Sequence, residues 1–144
     1  KPYSIYKNPS ADRREIIFNE LNIDWTETLT IIEGPFDLLK ANQNATPILG
    51  SDELTLEFAL LRKIIQNKTP VVLAFDPEPK AQKKQFVLAN RLSEFDVPVK
   101  ILEYKSKDRD IGEMSQNEFM ELFASAKQYS AEYDLQRRFE TILR

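Results

Sequence analysis

Cysteine and histidine are both absent from the 144-residue chain. Zinc ribbons, haem and iron–sulfur ligation, disulfide scaffolds, Cys nucleophiles and Ser-His-Asp triads each need one or the other, so all are excluded within this sequence. Metal chemistry here must use hard oxygen ligands, which points to Mg²⁺, Mn²⁺ or Ca²⁺ held by Asp and Glu. Also missing is any apolar run approaching the ~18 residues of a membrane span, and no signal-peptide pattern opens the chain. A soluble protein without membrane contact is expected. The first residue is Lys1 rather than Met, as in an excised piece of a longer protein.

What is present describes an ordinary globular chain. Hydrophobic residues at 42% and charged residues at 30% argue against disorder and against a collagenous or coiled-coil rod. The length suits one domain by the prior of about 150 residues. The net charge of -3 is unevenly spread. Residues 1–60 carry a net -5, residues 61–109 a net +5 and residues 110–144 a net -3. The middle of the chain thus suits a polyanionic ligand, although a charge run is also the usual dress of solvated helix faces.

Hydrophobic periodicity gives short apolar runs alternating with amphipathic stretches. Thr28 to Ile32 reads as a buried strand followed by a short helical stretch from Phe36 to Ala41. Thr46 to Leu49 reads as a second strand, and Pro47 puts it at a sheet edge because proline cannot donate to a central ladder. A helix is expected from about Glu53 to Gln66, with Ser51 or Asp52 as its cap. Val71 to Phe75 fits a central parallel strand, Lys80 to Glu94 a helix, and Val97 to Leu102 a fourth strand. Ser115-Gln-Asn-Glu118 matches a capping box before a helix that buries Phe119, Leu122 and Phe123. Strands alternating with helices imply an α/β fold: a four-stranded parallel sheet with helices on both faces. Residues 1–27 read as an arm with a helix over Asp12 to Leu21, residues 28–129 as the main domain, and residues 130–144 as a C-terminal helix.

In open α/β sheets, ligands sit beyond the C-terminal ends of the strands, where the winding reverses. Glu33 follows the first strand, with Asp37 one helical turn on; Asp76 and Glu78 follow the third; Asp108 and Asp110 follow the fourth. With the second strand at the edge, the order is 2-1-3-4 and these carboxylates converge on one crevice. Such a cluster is costly unless neutralised. Two Mg²⁺ ions would compensate it and could organise an in-line phosphoryl displacement. Any single acid after a strand also fits a helix cap, but caps need no common crevice. Lys80, Lys83 and Lys84 share a helix face by their spacing, while Lys105, Lys107 and Arg109 interleave with Asp108 and Asp110. Both groups suit phosphates, or simply a solubilising surface. Phe36, Phe75, Phe86 and Phe95 read as core rather than as base-stacking platforms.

Four segments then form a pattern: Ile32-Glu-Gly-Pro-Phe-Asp37, Leu49-Gly-Ser51, Leu73-Ala-Phe-Asp-Pro-Glu78 and Lys107-Asp-Arg-Asp110. In order and at strand ends, they resemble the Toprim domain of bacterial-type primases, topoisomerases and some nucleases, over about Trp25 to Tyr129. The primases of tailed phages are the most similar, through Glu33-Gly-Pro-Phe-Asp37, Asp76-Pro-Glu-Pro79 and Lys105-Ser-Lys-Asp108. The resemblance implies synthesis of short RNA primers from nucleoside triphosphates on a single-stranded DNA template. It also implies Mg²⁺ or Mn²⁺ as cofactor, a replicative helicase as partner and, for a phage protein, the cytoplasm of the bacterial host. Glu33 would be the general base or 3′-hydroxyl organiser, and Asp76, Glu78, Asp108 and Asp110 the metal ligands, assisted by Asp37. The family's usual Asp-x-Asp is here Asp76-Pro77-Glu78, a variant whose longer carboxylate can still reach a metal. Nothing after Asp76 resembles the Asp-x-Asp-Arg-Glu-Gly run of topoisomerases. A metal-dependent Toprim nuclease and a non-catalytic replication module are the alternatives.

Overall fold

The computed structural model describes residues 13–33, 44–48, 54–105 and 113–143. Five strands run through them: β1 (Leu29–Ile32), β2 (Ala45–Pro47), β3 (Val71–Ala74), β4 (Val99–Ile101) and β5 (Lys127–Gln128). Four α-helices accompany them: α1 (Ala59–Asn67), α2 (Pro79–Glu94), α3 (Gln116–Ala124) and α4 (Ala131–Ile142). The strands form one sheet in the order β2-β1-β3-β4-β5. β1 to β4 are mutually parallel, as expected, and the expected 2-1-3-4 order holds. The fifth strand is an addition: β5 pairs antiparallel with β4, Lys100 opposite Gln128.

The apolar runs become strands because both sheet faces are covered, so consecutive residues of β1 and β3 are all buried. Leu29, Ile31, Leu73 and Ile101 pack with α1 and α2 on one face, while Ile32, Ala74 and Leu102 pack with Phe119 and Leu122 of α3 on the other. Pro47 is accommodated as its chemistry requires. The next residue, Ile48, donates its N–H to Ile32 O at 2.7 Å, so the proline nitrogen faces away from β1 toward the open edge.

Helix ends follow their residues. Ser115 and Glu118 form the expected capping box of α3. Lys68 and Asp96 take left-handed conformations, with φ of 51° and 60°, where α1 and α2 end. There the N–H groups of Asp96 and Val97 return to Ser93 O and Leu92 O, closing the last turn of α2.

Two stretches depart from periodicity. Asp12 lies outside the described residues, but 13–21 carry no α-helix; short 3₁₀ turns stand at Arg13–Glu15 and Glu20–Asn22. Asn19 interrupts them in a left-handed conformation, its amide donating to Ala45 O on the outer edge of β2 at 2.8 Å. Anchoring that edge wins over helix propensity. Similarly, α1 begins at Ala59 rather than near Glu53, which itself lies outside the described residues. Arginine side chains take the carbonyls just before it: Arg91 donates to Leu54 O, and Arg62 to Leu56 O and Glu57 O. No helix among the described residues is long and apolar enough to cross a membrane.

Candidate functional site

β1 and β3 are neighbours, with Ile32 paired to Ala74, so the residues that follow them emerge side by side at one rim. Glu33 and Asp76 meet there. The Glu33 carboxylate reaches across, and its Oε1 accepts the N–H of Asp76 at 2.8 Å. Its other oxygen lies 3.8 Å from Nζ of Lys84, an ion pair whose side chains are 20% and 26% exposed. Lys84 also lines a small pocket with Phe75 and Leu88. A solvent-accessible pair at that distance is worth at most about 1 kcal/mol, so Lys84 is an exchangeable partner rather than a structural staple.

The loop that carries Asp76 is held from below by amides. Gln85, fully buried on α2, accepts the N–H of Phe75 at 2.9 Å and donates to Gln82 Oε1 at 3.1 Å. Gln82 in turn donates to the carbonyl of Asp76 at 2.8 Å. These two glutamines, which do not stand out as site residues in the sequence, fix the backbone where β3 ends. One signal does mark Gln85: it shares the stripe of Ala81, Leu88 and Leu92, all buried.

Glu78 stands at the N-cap position of α2, yet its side chain makes no capping hydrogen bond. Helix capping therefore does not account for this acid. It is exposed, as are Lys80, Lys83 and Lys105, while Asp76 is half-buried. Of Lys80, Lys83 and Lys84, which share a helix face by spacing, Lys84 pairs with Glu33. Lys83 lines a separate cleft. Beyond β4, the Tyr104 hydroxyl donates to the carbonyl of Ala74 at 3.5 Å, which places Tyr104 beside the end of β3. Asp37, Lys107, Asp108, Arg109 and Asp110 lie outside the described residues. Among those described, no three acidic side chains gather closely enough to hold a metal ion. Glu33, Asp76 and Glu78 supply hard oxygen donors suited to Mg²⁺ or Mn²⁺, and a complete ligand set would need acids from the other segments.

The class of fold is thus a three-layer α/β domain in which Glu33 meets the Asp76 backbone at the C-terminal rim of a mainly parallel sheet, an arrangement consistent with a Toprim-like fold. The same fold appears in the crystal structure of the Aquifex aeolicus primase, zinc-binding and RNA polymerase domains, with a TM-score of 0.65 over 91% of this chain at 19% identity. This chain spans 36% of that one. Comparison with protein-family models gives no match, and comparison with curated protein sequences gives none either.

Proposed function

We propose that this chain is the catalytic Toprim domain of a DNA primase, joining ribonucleotides on a single-stranded DNA template by Mg²⁺-dependent nucleotidyl transfer. The observation that carries this reading is the Glu33 carboxylate bridging the ends of β1 and β3 onto Asp76, with Lys84 beside it. The four motifs in order and the fold shared with a primase support it. A replicative helicase as partner rests on the motif resemblance alone.

In this reading Glu33 takes the proton of an attacking 3′-hydroxyl. The new bond forms between that oxygen and the α-phosphorus of a nucleoside triphosphate, and the bond to pyrophosphate breaks. Lys84 can exchange its weak pair with Glu33 for an incoming phosphate. Gln82 and Gln85 hold the backbone at Phe75 and Asp76, which fixes the point from which the Asp76 carboxylate reaches out. Asp76 and Glu78, completed by Asp37, Asp108 and Asp110, would hold the divalent ion, which supplies charge neutralisation at the phosphates when bound.

The test is Glu33→Gln in the intact protein, assayed for dinucleotide synthesis on single-stranded DNA. The amide retains an oxygen to accept the Asp76 N–H, so folding should survive. Synthesis should fall by about 100–10,000-fold, the usual contribution of a positioned base. Normal synthesis by this variant would refute the assignment. Cleavage of single-stranded DNA without nucleotide incorporation would move the protein to the nuclease class.

A further inference from the structure

A cleft of about 810 Å³ lies between α2 and α4, and its lining includes Pro77 and Pro79, which flank Glu78 in the sequence. Its walls carry Lys83, Arg91, Arg137 and Arg138 against Glu94 and Asp134. The cleft is therefore net positive in a chain whose total charge is -3. Asp134 orders two of these cations at once, through Arg137 Nη2 and Arg138 Nε, both at 3.0 Å. The Arg137 guanidinium carbon lies 3.5 Å from the centre of the Phe86 ring, a flat cation laid on an aromatic face. Arg138 keeps 67% of its side chain exposed. Phe86, Val87 and Tyr129 give the cleft an apolar and aromatic floor.

Exposed cations along the walls, in a cleft whose lining includes the sequence neighbours of Asp76 and Glu78, are elements of a single-strand binding groove. We propose that this cleft is a track for single-stranded nucleic acid, with the phosphodiester backbone on Lys83, Arg137 and Arg138. The choice of nucleic acid over an acidic peptide rests on the proposed function of the adjoining rim. The strand is either the DNA template or the RNA product, which share this chemistry.

The experiment measures binding of short fluorescent oligodeoxythymidylate and oligouridylate to the intact protein by anisotropy, as a function of salt. Lys83→Glu and Arg138→Glu should each weaken binding by about tenfold and reduce the salt slope by about 0.7 per cation removed. Lys63→Glu, the same charge change on α1 away from the cleft, should cost no more than about twofold. Tighter binding of the DNA oligomer identifies the template, and of the RNA oligomer the product. Wild-type affinity in the Lys83→Glu, Arg138→Glu double variant overturns the proposal. So does an equal loss in Lys63→Glu, or binding of nucleoside triphosphate without binding of either oligomer. Circular dichroism checks folding, and Lys83→Glu alone, at an exposed helix position, decides the matter if α4 frays in the Arg138 variant. The rim and the cleft fail separately: Glu33→Gln is judged by synthesis, the cleft variants by affinity.

Discussion

At the scale of single residues, Gln85 is the most consequential polar side chain that does no chemistry. It is fully buried, and the Phe75 N–H it accepts is likewise shut off from water. Replacing it by leucine keeps the volume but leaves that donor unmatched, which costs about 1–3 kcal/mol. We expect Gln85→Leu to lower the urea midpoint without changing the m-value, and to speed hydrogen exchange at the Phe75 amide. An unchanged midpoint would mean that water replaces the lost acceptor. The acids were legible from sequence because each directly follows a β-branched or apolar run, as Glu33 follows Thr-Ile-Ile32 and Asp76 follows Val-Leu-Ala-Phe75. Gln82 and Gln85 were not, because an amide on a helix reads as surface until tertiary packing buries it. Lys83 and Lys84 illustrate a related limit. Adjacent helical residues diverge by about 100°, so one reaches the rim and the other the cleft despite a spacing that groups them.

At the scale of elements, α4 is attached through aromatic side chains rather than a broad aliphatic face. Tyr129, Tyr133 and Phe86 lie with ring centres 6.1–6.4 Å apart, and the Tyr133 hydroxyl donates to Glu103 at 2.9 Å. Burial, then the hydrogen bond to Glu103, push the Tyr133 hydroxyl well above the ordinary tyrosine range. An unfolded tyrosine ionises near pH 10. Above that pH the unfolded chain has released a proton that the folded chain retains, so stability present below pH 10 is lost as pH rises. Urea midpoints should fall from about pH 10 upward, and Tyr133→Phe should flatten that fall. Tyr129, raised chiefly by burial and next by Asp134, contributes slope that remains in the variant. Equal slopes in the two proteins would show that this contact does not link α4 to the sheet. The helices α2 and α3 were readable because apolar periodicity coincides with packing, and α3 and α4 because Ser115 and Ser130 cap them. β5 was not, since its two residues are both exposed and only their pairing with β4 defines them. The arm before β1 misled for the opposite reason: its sequence favours a helix, but Asn19 is committed to the edge of β2.

At the scale of the whole molecule, strand order does what no local segment can. Pro47 places β2 outside, which makes β1 and β3 neighbours and brings Glu33 to Asp76 across 43 residues of chain. Unfolding disperses that juxtaposition, so a divalent ion that needs both strand ends binds only the folded state. Such binding raises stability by about 2.7 kcal/mol when the ion is at 100 times its dissociation constant. Mg²⁺ should therefore raise the urea midpoint progressively with concentration in the wild-type protein. Asp76→Asn removes one anionic donor while keeping the backbone N–H that Glu33 accepts, so the fold is retained and the rise should disappear. General screening is separated by NaCl at matched ionic strength, which relaxes repulsion among surface charges without coordinating them. If Mg²⁺ stabilises Asp76→Asn as much as wild type, or does no more than NaCl, the ions act on the diffuse charge of the chain. The rim would then be a set of hydrogen-bonded acids with no metal to organise.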